Sequence, residues 1–191
     1  MRFLWLPVLV LGLAACASTP RYEPAELKKI AKVELRIERQ WKKDIGKVGD
    51  RPALRPLSAA GRVFAASADG KVLALDPSGK PLWSVDTARS LMSGPALVDG
   101  RLIVGSRDGE LIALSALDGE LQWENQLSSA LATLPAGDAG LLVVKSEDGR
   151  VQALDPQSGD LRWTVPLNVP PLTWRGNAPL QLTEEAVLVG T

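Results

Sequence analysis

The sequence predicts an all-β protein, a β-propeller of four-stranded antiparallel blades, on three observations. Trp83, Trp123 and Trp163 are spaced 40 residues apart. Each closes the same phrase: GRVFAASADGKVLALDPSGKPLW at 61–83, GRLIVGSRDGELIALSALDGELQW at 100–123 and GLLVVKSEDGRVQALDPQSGDLRW at 140–163. Each phrase also carries two turn signals that cut it into short apolar runs. A period near 40 with a hairpin in every copy is the pattern of propeller blades.

The elements follow in order. Val63, Ala65 and Ser67 alternate with Phe64, Ala66 and Ala68, and Leu102 to Ser106 and Leu141 to Ser146 are the matching apolar runs. Short runs of this kind read as strands buried on both faces. Each ends at Asp-Gly (Asp69-Gly70, Asp108-Gly109, Asp148-Gly149), which predicts a two-residue type I′ hairpin turn. Return strands are expected over Lys71 to Leu75, Glu110 to Leu114 and Arg150 to Leu154. A second turn follows: Asp-Pro-Ser-Gly in the first copy, Asp-Pro-Gln-Ser-Gly in the third. Proline presets φ there and glycine takes the left-handed position. The second copy, Ser115-Ala116-Leu117-Asp118-Gly119, keeps only the later part of the pattern. The third strand carries the tryptophan, which reads as an apolar plug between adjacent blades. A fourth strand is expected at Gly94-Pro95-Ala96-Leu97-Val98, with Leu134-Pro135-Ala136 as its counterpart.

The N-terminus has a different composition. Met1 and Arg2 precede an apolar stretch from Phe3 to Ala15 that ends in small residues before Cys16, the one cysteine of the chain. A membrane-spanning helix needs about 20 apolar residues, so residues 1–15 read as an export signal instead. Leu13-Ala14-Ala15-Cys16 resembles the bacterial lipobox, in which the cysteine is acylated and becomes the mature N-terminus. Ala17 after it, by the same resemblance, favours the outer membrane. Two or more acyl chains anchor stably where one does not. Residues 16–31 are then a lipidated terminus and tether, and 32–191 a partial propeller. Alternation of Val33, Leu35 and Ile37 with Glu34, Arg36 and Glu38 argues for a strand over Lys32 to Trp41. A helical reading of 25–32, on Leu27, Ile30 and Ala31, stays open. Trp41-Lys42-Lys43-Asp44-Ile45 resembles the tail of a blade and is a candidate closing strand of the ring.

At the other end, Ala186 to Thr191 matches the opening strand of a unit, with Thr191 in the place of Ser67, Ser106 and Ser146. Propellers use about four to eight blades. The expectation is therefore a fragment, truncated in its fourth repeat, that would aggregate by itself through an open edge.

Composition narrows the function. Basic and acidic residues balance at 22 each, which argues against a nucleic-acid partner. The chain has no histidine, so a Ser-His-Asp or Cys-His catalytic set and a histidine metal site are excluded within it. One cysteine leaves no intrachain disulfide. The glycines fall in turns rather than in a phosphate-binding loop, and the carboxylates are scattered. No catalytic, cofactor or metal residue is nominated.

The phrase Ala-Leu-Asp-x-x-x-Gly-x-x-x-Trp resembles the blades of pyrroloquinoline-quinone-type propellers, which include dehydrogenases and non-enzymatic relatives. The linker after the third phrase, Asn168 to Pro179, lengthens the step between equivalent positions from 40 residues (Ser106 to Ser146) to 45 (Ser146 to Thr191). With the lipobox, it is similar to the BamB family, eight-bladed lipoproteins of the outer-membrane β-barrel assembly machinery. There a Leu-x-Leu-Arg-Gly loop contributes to binding the barrel-forming BamA subunit. Leu172, Arg175 and Gly176 match that phrase and Trp174 replaces a leucine. The resemblance implies a non-catalytic scaffold, lipidated at Cys16, with Leu172, Trp174 and Arg175 facing a BamA-like partner. It also implies companion assembly lipoproteins, unfolded outer-membrane proteins as clients, and no cofactor.

The residues support that loop independently. Tryptophan and arginine are frequent interface anchors, and Pro170, Pro171 and Pro179 stiffen the segment. Three alternatives stay open. Trp174 and Arg175 serve only local packing, the protein is a periplasmic binding or sensor propeller, or it is a quinone-dependent dehydrogenase.

Overall fold

The computed structural model describes residues 37–49, 53–138, 140–167, 178–183 and 185–190. The chain divides into Met1–Glu38 and Arg39–Thr191, and the fold described is that of the second unit. It is all β. A short strand, β1 (Ala53–Leu54), precedes blade 1: β2 (Leu57–Ala59), β3 (Arg62–Ala66), β4 (Lys71–Leu75) and β5 (Pro81–Asp86). Blade 2 is β6 (Leu91–Val98), β7 (Arg101–Ser106), β8 (Glu110–Ser115) and β9 (Leu121–Gln126). Blade 3 is β10 (Ala136–Gly137), β11 (Leu142–Lys145), β12 (Arg150–Leu154) and β13 (Leu161–Pro166). A further pair, β14 (Gln181–Leu182) and β15 (Val187–Leu188), follows. Each blade is an antiparallel meander in chain order, and β1 adds a parallel strand to the β6 edge of blade 2.

The central strands bury both faces, as their continuous apolar runs require. In blade 1, Phe64, Val72 and Ala74 face blade 2, packing with Leu102, Val104, Ile112 and Leu114. Ala65, Leu73 and Leu75 point the other way, onto Trp41 and Ile45. The pattern repeats between blades 2 and 3, where Ile103, Leu111 and Ala113 meet Leu142, Val144 and Leu154.

Three expectations need correction. The strand expected over Lys32 to Trp41 is not formed in its described part: residues 37–49 carry no strand. Alternating side chains make a strand only where the backbone finds a ladder partner, and the one backbone bond to this stretch among the described residues is from the Ala68 amide to the Lys47 carbonyl, beyond the expected strand. Trp41 nonetheless occupies the place of a blade tryptophan. The fourth strand is also uneven. In blade 2 it spans eight residues, Leu91–Val98, whereas in blade 3 it starts only at Ala136 and ends at Gly137.

The third correction concerns the turns. Asp69, Asp108 and Asp148 do not take positive φ; only the glycines after them do, at 102°, 87° and 81°. Each hairpin is a Ser-x-Asp-Gly turn closed by the glycine amide on the serine carbonyl, a type I turn with a left-handed glycine behind it. The buried hydroxyls of Ser67 and Ser146 donate to the carboxylates of Asp69 and Asp148. The type I′ turns lie elsewhere. Ala60-Gly61 and Asp99-Gly100, between the first and second strands of blades 1 and 2, have positive φ at both residues.

Candidate partner interface

Two sets of turns stitch the blades together, at opposite ends of the strands. At one end each blade's Ser-x-Asp-Gly turn holds two linkers. The outer strand leaves its own blade through the amides of Thr87, Leu127 and Leu167, which donate to the carbonyls of Gly70, Gly109 and Gly149. The preceding linker is held by the second turn residue. The amides of Ala68, Arg107 and Glu147 donate to the carbonyls of Lys47, Ser90 and Ala130 at 2.7–2.8 Å. These bonds make one end of the strands a row of turns and crossing linkers.

At the opposite end, the turn of each blade that ends on Gly79, Gly119 or Gly159 receives a tryptophan from the chain before it. Trp41 Nε1 donates to the Pro77 carbonyl (2.9 Å), Trp83 Nε1 to that of Ala116 (3.3 Å) and Trp123 Nε1 to that of Pro156 (3.0 Å). The indoles lie against Gly79, Gly119 and Gly159. Arg62 adds a clamp, donating Nη1 to the carbonyls of Ala116 and Leu117. The third repeat tryptophan, Trp163, is 37% exposed.

This stitching fixes where the long linker begins. Leu167 leaves blade 3 at Gly149, on the end that carries the Ser-x-Asp-Gly turns. The far stem returns to the same blade: Leu180 is buried with Val143, Val151 and Ala153, and Leu167 packs against that cluster. Lys145 Nζ also donates to the Gly190 carbonyl at 2.6 Å. Leu167 and Leu180, described residues on either side of 168–177, therefore share one apolar cluster. Leu172, Trp174 and Arg175, and the expected lipidation site Cys16, lie outside the described residues.

A carboxylate beside the departing stem, Asp148, is held in place. Burial pushes the Asp148 carboxyl up, but hydroxyls of Ser128 and Ser146, the Arg150 amide and the Arg150 charge outweigh it and hold the group below its usual value. Ser128 and Ser146 both donate to it at 2.6 Å. Nothing in this arrangement resembles an acid–base pair, and no group of three or more metal-ligating side chains converges among the described residues.

The antiparallel blades, the tryptophan latches and the linker stitching define a propeller of the quinoprotein-like repeat class. The family profile described as outer membrane protein assembly factor BamB matches residues 68–191, and the chain belongs to that family. BamB of Xanthomonas campestris pv. campestris is 33% identical over 122 residues, covering 56% of this chain and 29% of that protein. BamB of Burkholderia pseudomallei is 30% identical over 156 residues, covering 60% and 40%. The crystal structure of BamB from Moraxella catarrhalis superposes with a TM-score of 0.65 at 25% identity, over 71% of this chain and 42% of that one. A europium-containing methanol dehydrogenase shares the fold alone, with a TM-score of 0.55 at 21% identity over 65% of this chain and 26% of that one. The chain thus spans less than half the length of the relatives it matches.

Proposed function

We propose that this chain is the propeller part of a non-catalytic lipoprotein scaffold in the outer-membrane β-barrel assembly complex. Acyl chains on Cys16 tether it to the periplasmic face of the outer membrane. The loop carrying Leu172, Trp174 and Arg175 engages a BamA-like barrel-forming subunit, alongside companion assembly lipoproteins, and unfolded outer-membrane proteins are its clients.

The observation that carries this reading is family membership over residues 68–191, combined with an extended linker at the point where the family's partner loop is expected. The physical case is that both stems of that linker rest on one cluster of blade 3. A loop with fixed ends loses less entropy on docking, and a Trp-Arg pair at its centre supplies the usual anchors.

The test is affinity capture from detergent-solubilised outer membranes, using the full-length protein as bait and mass spectrometry to identify partners. BamA is expected in the wild-type capture. Trp174→Ala combined with Arg175→Glu is expected to reduce its recovery about tenfold or more, with an unchanged thermal melt. Undiminished recovery by a folded double variant would remove the loop from the interface. Absence of BamA from the wild-type capture would remove the scaffold reading itself.

A further inference from the structure

The junction between blades 1 and 2 breaks the repeat at its outer rim. Arg89, on the linker between them, donates Nε to Glu110 Oε1 at 2.6 Å and Nη2 to Glu124 Oε1 at 3.2 Å. Neither glutamate belongs to the repeat pattern. Lys71 and Arg150 stand at the position of Glu110, and Ser84 and Thr164 at that of Glu124. Blade packing does not require carboxylates at these two positions, because blades 1 and 3 are built without them.

Beside this ion pair lies a recess of about 170 Å³. Val85, Ile112, Leu114 and Leu121 form its apolar wall, and Asp86, Arg89 and Glu124 stand around it. Leu121, on the outermost strand of its sheet, is 59% exposed. A cavity of about 150 Å³ accommodates a benzene molecule, so the volume suits one side chain rather than a bulky ligand. The local charge is negative: Asp86, Glu110 and Glu124 against Arg89 and Lys71, which stands opposite Asp86 in the ladder, leave one carboxylate in excess. Glu110 Oε2 is moreover buried without a hydrogen-bond partner. A buried carboxylate oxygen lacking a donor is costly, and this one adjoins the recess only through its Arg89 partner.

An aliphatic wall below an excess of carboxylate matches a long side chain with an apolar stem and a cationic tip. We propose that this recess is a docking subsite for a lysine or arginine side chain of a partner polypeptide, its stem against Ile112, Leu114 and Leu121 and its charge toward Glu124 and Asp86. The subsite shares no residue with the 172–175 loop, so variants at one leave the other intact and the two readings fail separately.

The experiment is methyl NMR on the full-length protein, titrated with the capped peptide acetyl-Ala-Ala-Lys-Ala-Ala-amide. The expected result is a saturable shift confined to the methyls of Val85, Ile112, Leu114 and Leu121. The same peptide with norleucine for lysine should bind about fivefold more weakly or worse, the scale of one exposed charge contact. Glu124→Gln and Asp86→Asn, each with an unchanged melt, should each weaken the lysine peptide about threefold. Equal binding of both peptides, no saturable shift, or unchanged binding in both variants overturns the proposal. If 1,5-diaminopentane binds as well as the peptide, the ligand is a free amine and the polypeptide source is overturned.

Discussion

Gly159 and Gly100 hold nearly the same backbone conformation, φ of 78° and 75°, yet the fold uses them differently. Gly100 completes a type I′ turn, and a Cβ built on it meets nothing within 4 Å. Gly159 ends the turn that receives Trp123, and its Cβ would lie 2.7 Å from the indole Cε3. Gly79 and Gly119 stand in the same relation to Trp41 and Trp83. One glycine is there for its φ, the other for its φ and its missing side chain. The repeated Gly and the repeated Trp of the sequence phrase thus meet across blades, not within one.

The largest effect should come from removing the plug. Trp123→Ala deletes the indole from the blade 2–3 cluster and leaves the Pro156 carbonyl without its donor. Losses of about 3–5 kcal/mol accompany such core truncations. Chemical denaturation of the full-length protein, read as a midpoint shift at constant slope, measures it. A loss below about 1 kcal/mol would mean that the indole is not a plug at all.

The glycine comparison itself is broken or sharpened by two alanines. Gly159→Ala carries the left-handed backbone penalty of about 1–2 kcal/mol, and the displaced indole adds about 1–3 kcal/mol of overpacking. Gly100→Ala carries the backbone penalty alone, about 1–2 kcal/mol. The same denaturation experiment separates them. Equal losses within about 0.5 kcal/mol would show that the tryptophan yields freely and that only φ matters at both sites.

Legibility followed the same division between local and distant causes. The 40-residue spacing of Trp83, Trp123 and Trp163 is covalent fact, and it sufficed for the blade period and the all-β class. The carbonyl each indole binds lies 33 to 36 residues further on, in the next blade, so no local window contains it. Turn type was misread because Asp69-Gly70 and Asp99-Gly100 share a dipeptide but not a neighbour. Ser67, two residues before Asp69, donates its hydroxyl to that carboxylate and supports a type I turn. The short β10 was obscure for a packing reason: Gly137 lies so close to Val98 and the Leu141 carbonyl that no Cβ fits. The charged recess at Arg89 is invisible to repeat reasoning, which averages over the positions where it departs. Of the proposed partner loop, the sequence supplied the residues, while the structure describes only the flanking Leu167 and Leu180, which share one cluster of blade 3.

The smallest effect expected is a dependence on acid that both kinds of turn share. The carboxyl of Asp69 is held low by the Ser67 hydroxyl, with the Lys47 amide and the Lys71 charge adding to it. Asp76 is held low by the Ser78 hydroxyl and the Lys80 amide, and Asp155 by Arg162 and the amides of Gln157 and Ser158. Each folded value lies below the unfolded one, near 3.8. The unfolded chain therefore binds more protons in that window, and stability must rise with pH through it. The contribution is complete above the unfolded value and is lost as pH falls through the folded values. This chain has no histidine, so it contributes no histidine step near neutrality. Thermal melts of the full-length protein should fall below about pH 4. Blade 2 reaches the same result with a different residue: Ser115 replaces the first aspartate of its tryptophan-receiving turn, and its hydroxyl, with the Glu120 amide, holds Asp118 low. Asp155→Asn should flatten part of the acid limb, and Ser115→Ala, which removes the hydroxyl that holds Asp118 low, should flatten another part. If neither substitution changes the acid limb, these turn carboxylates do not set the acid response.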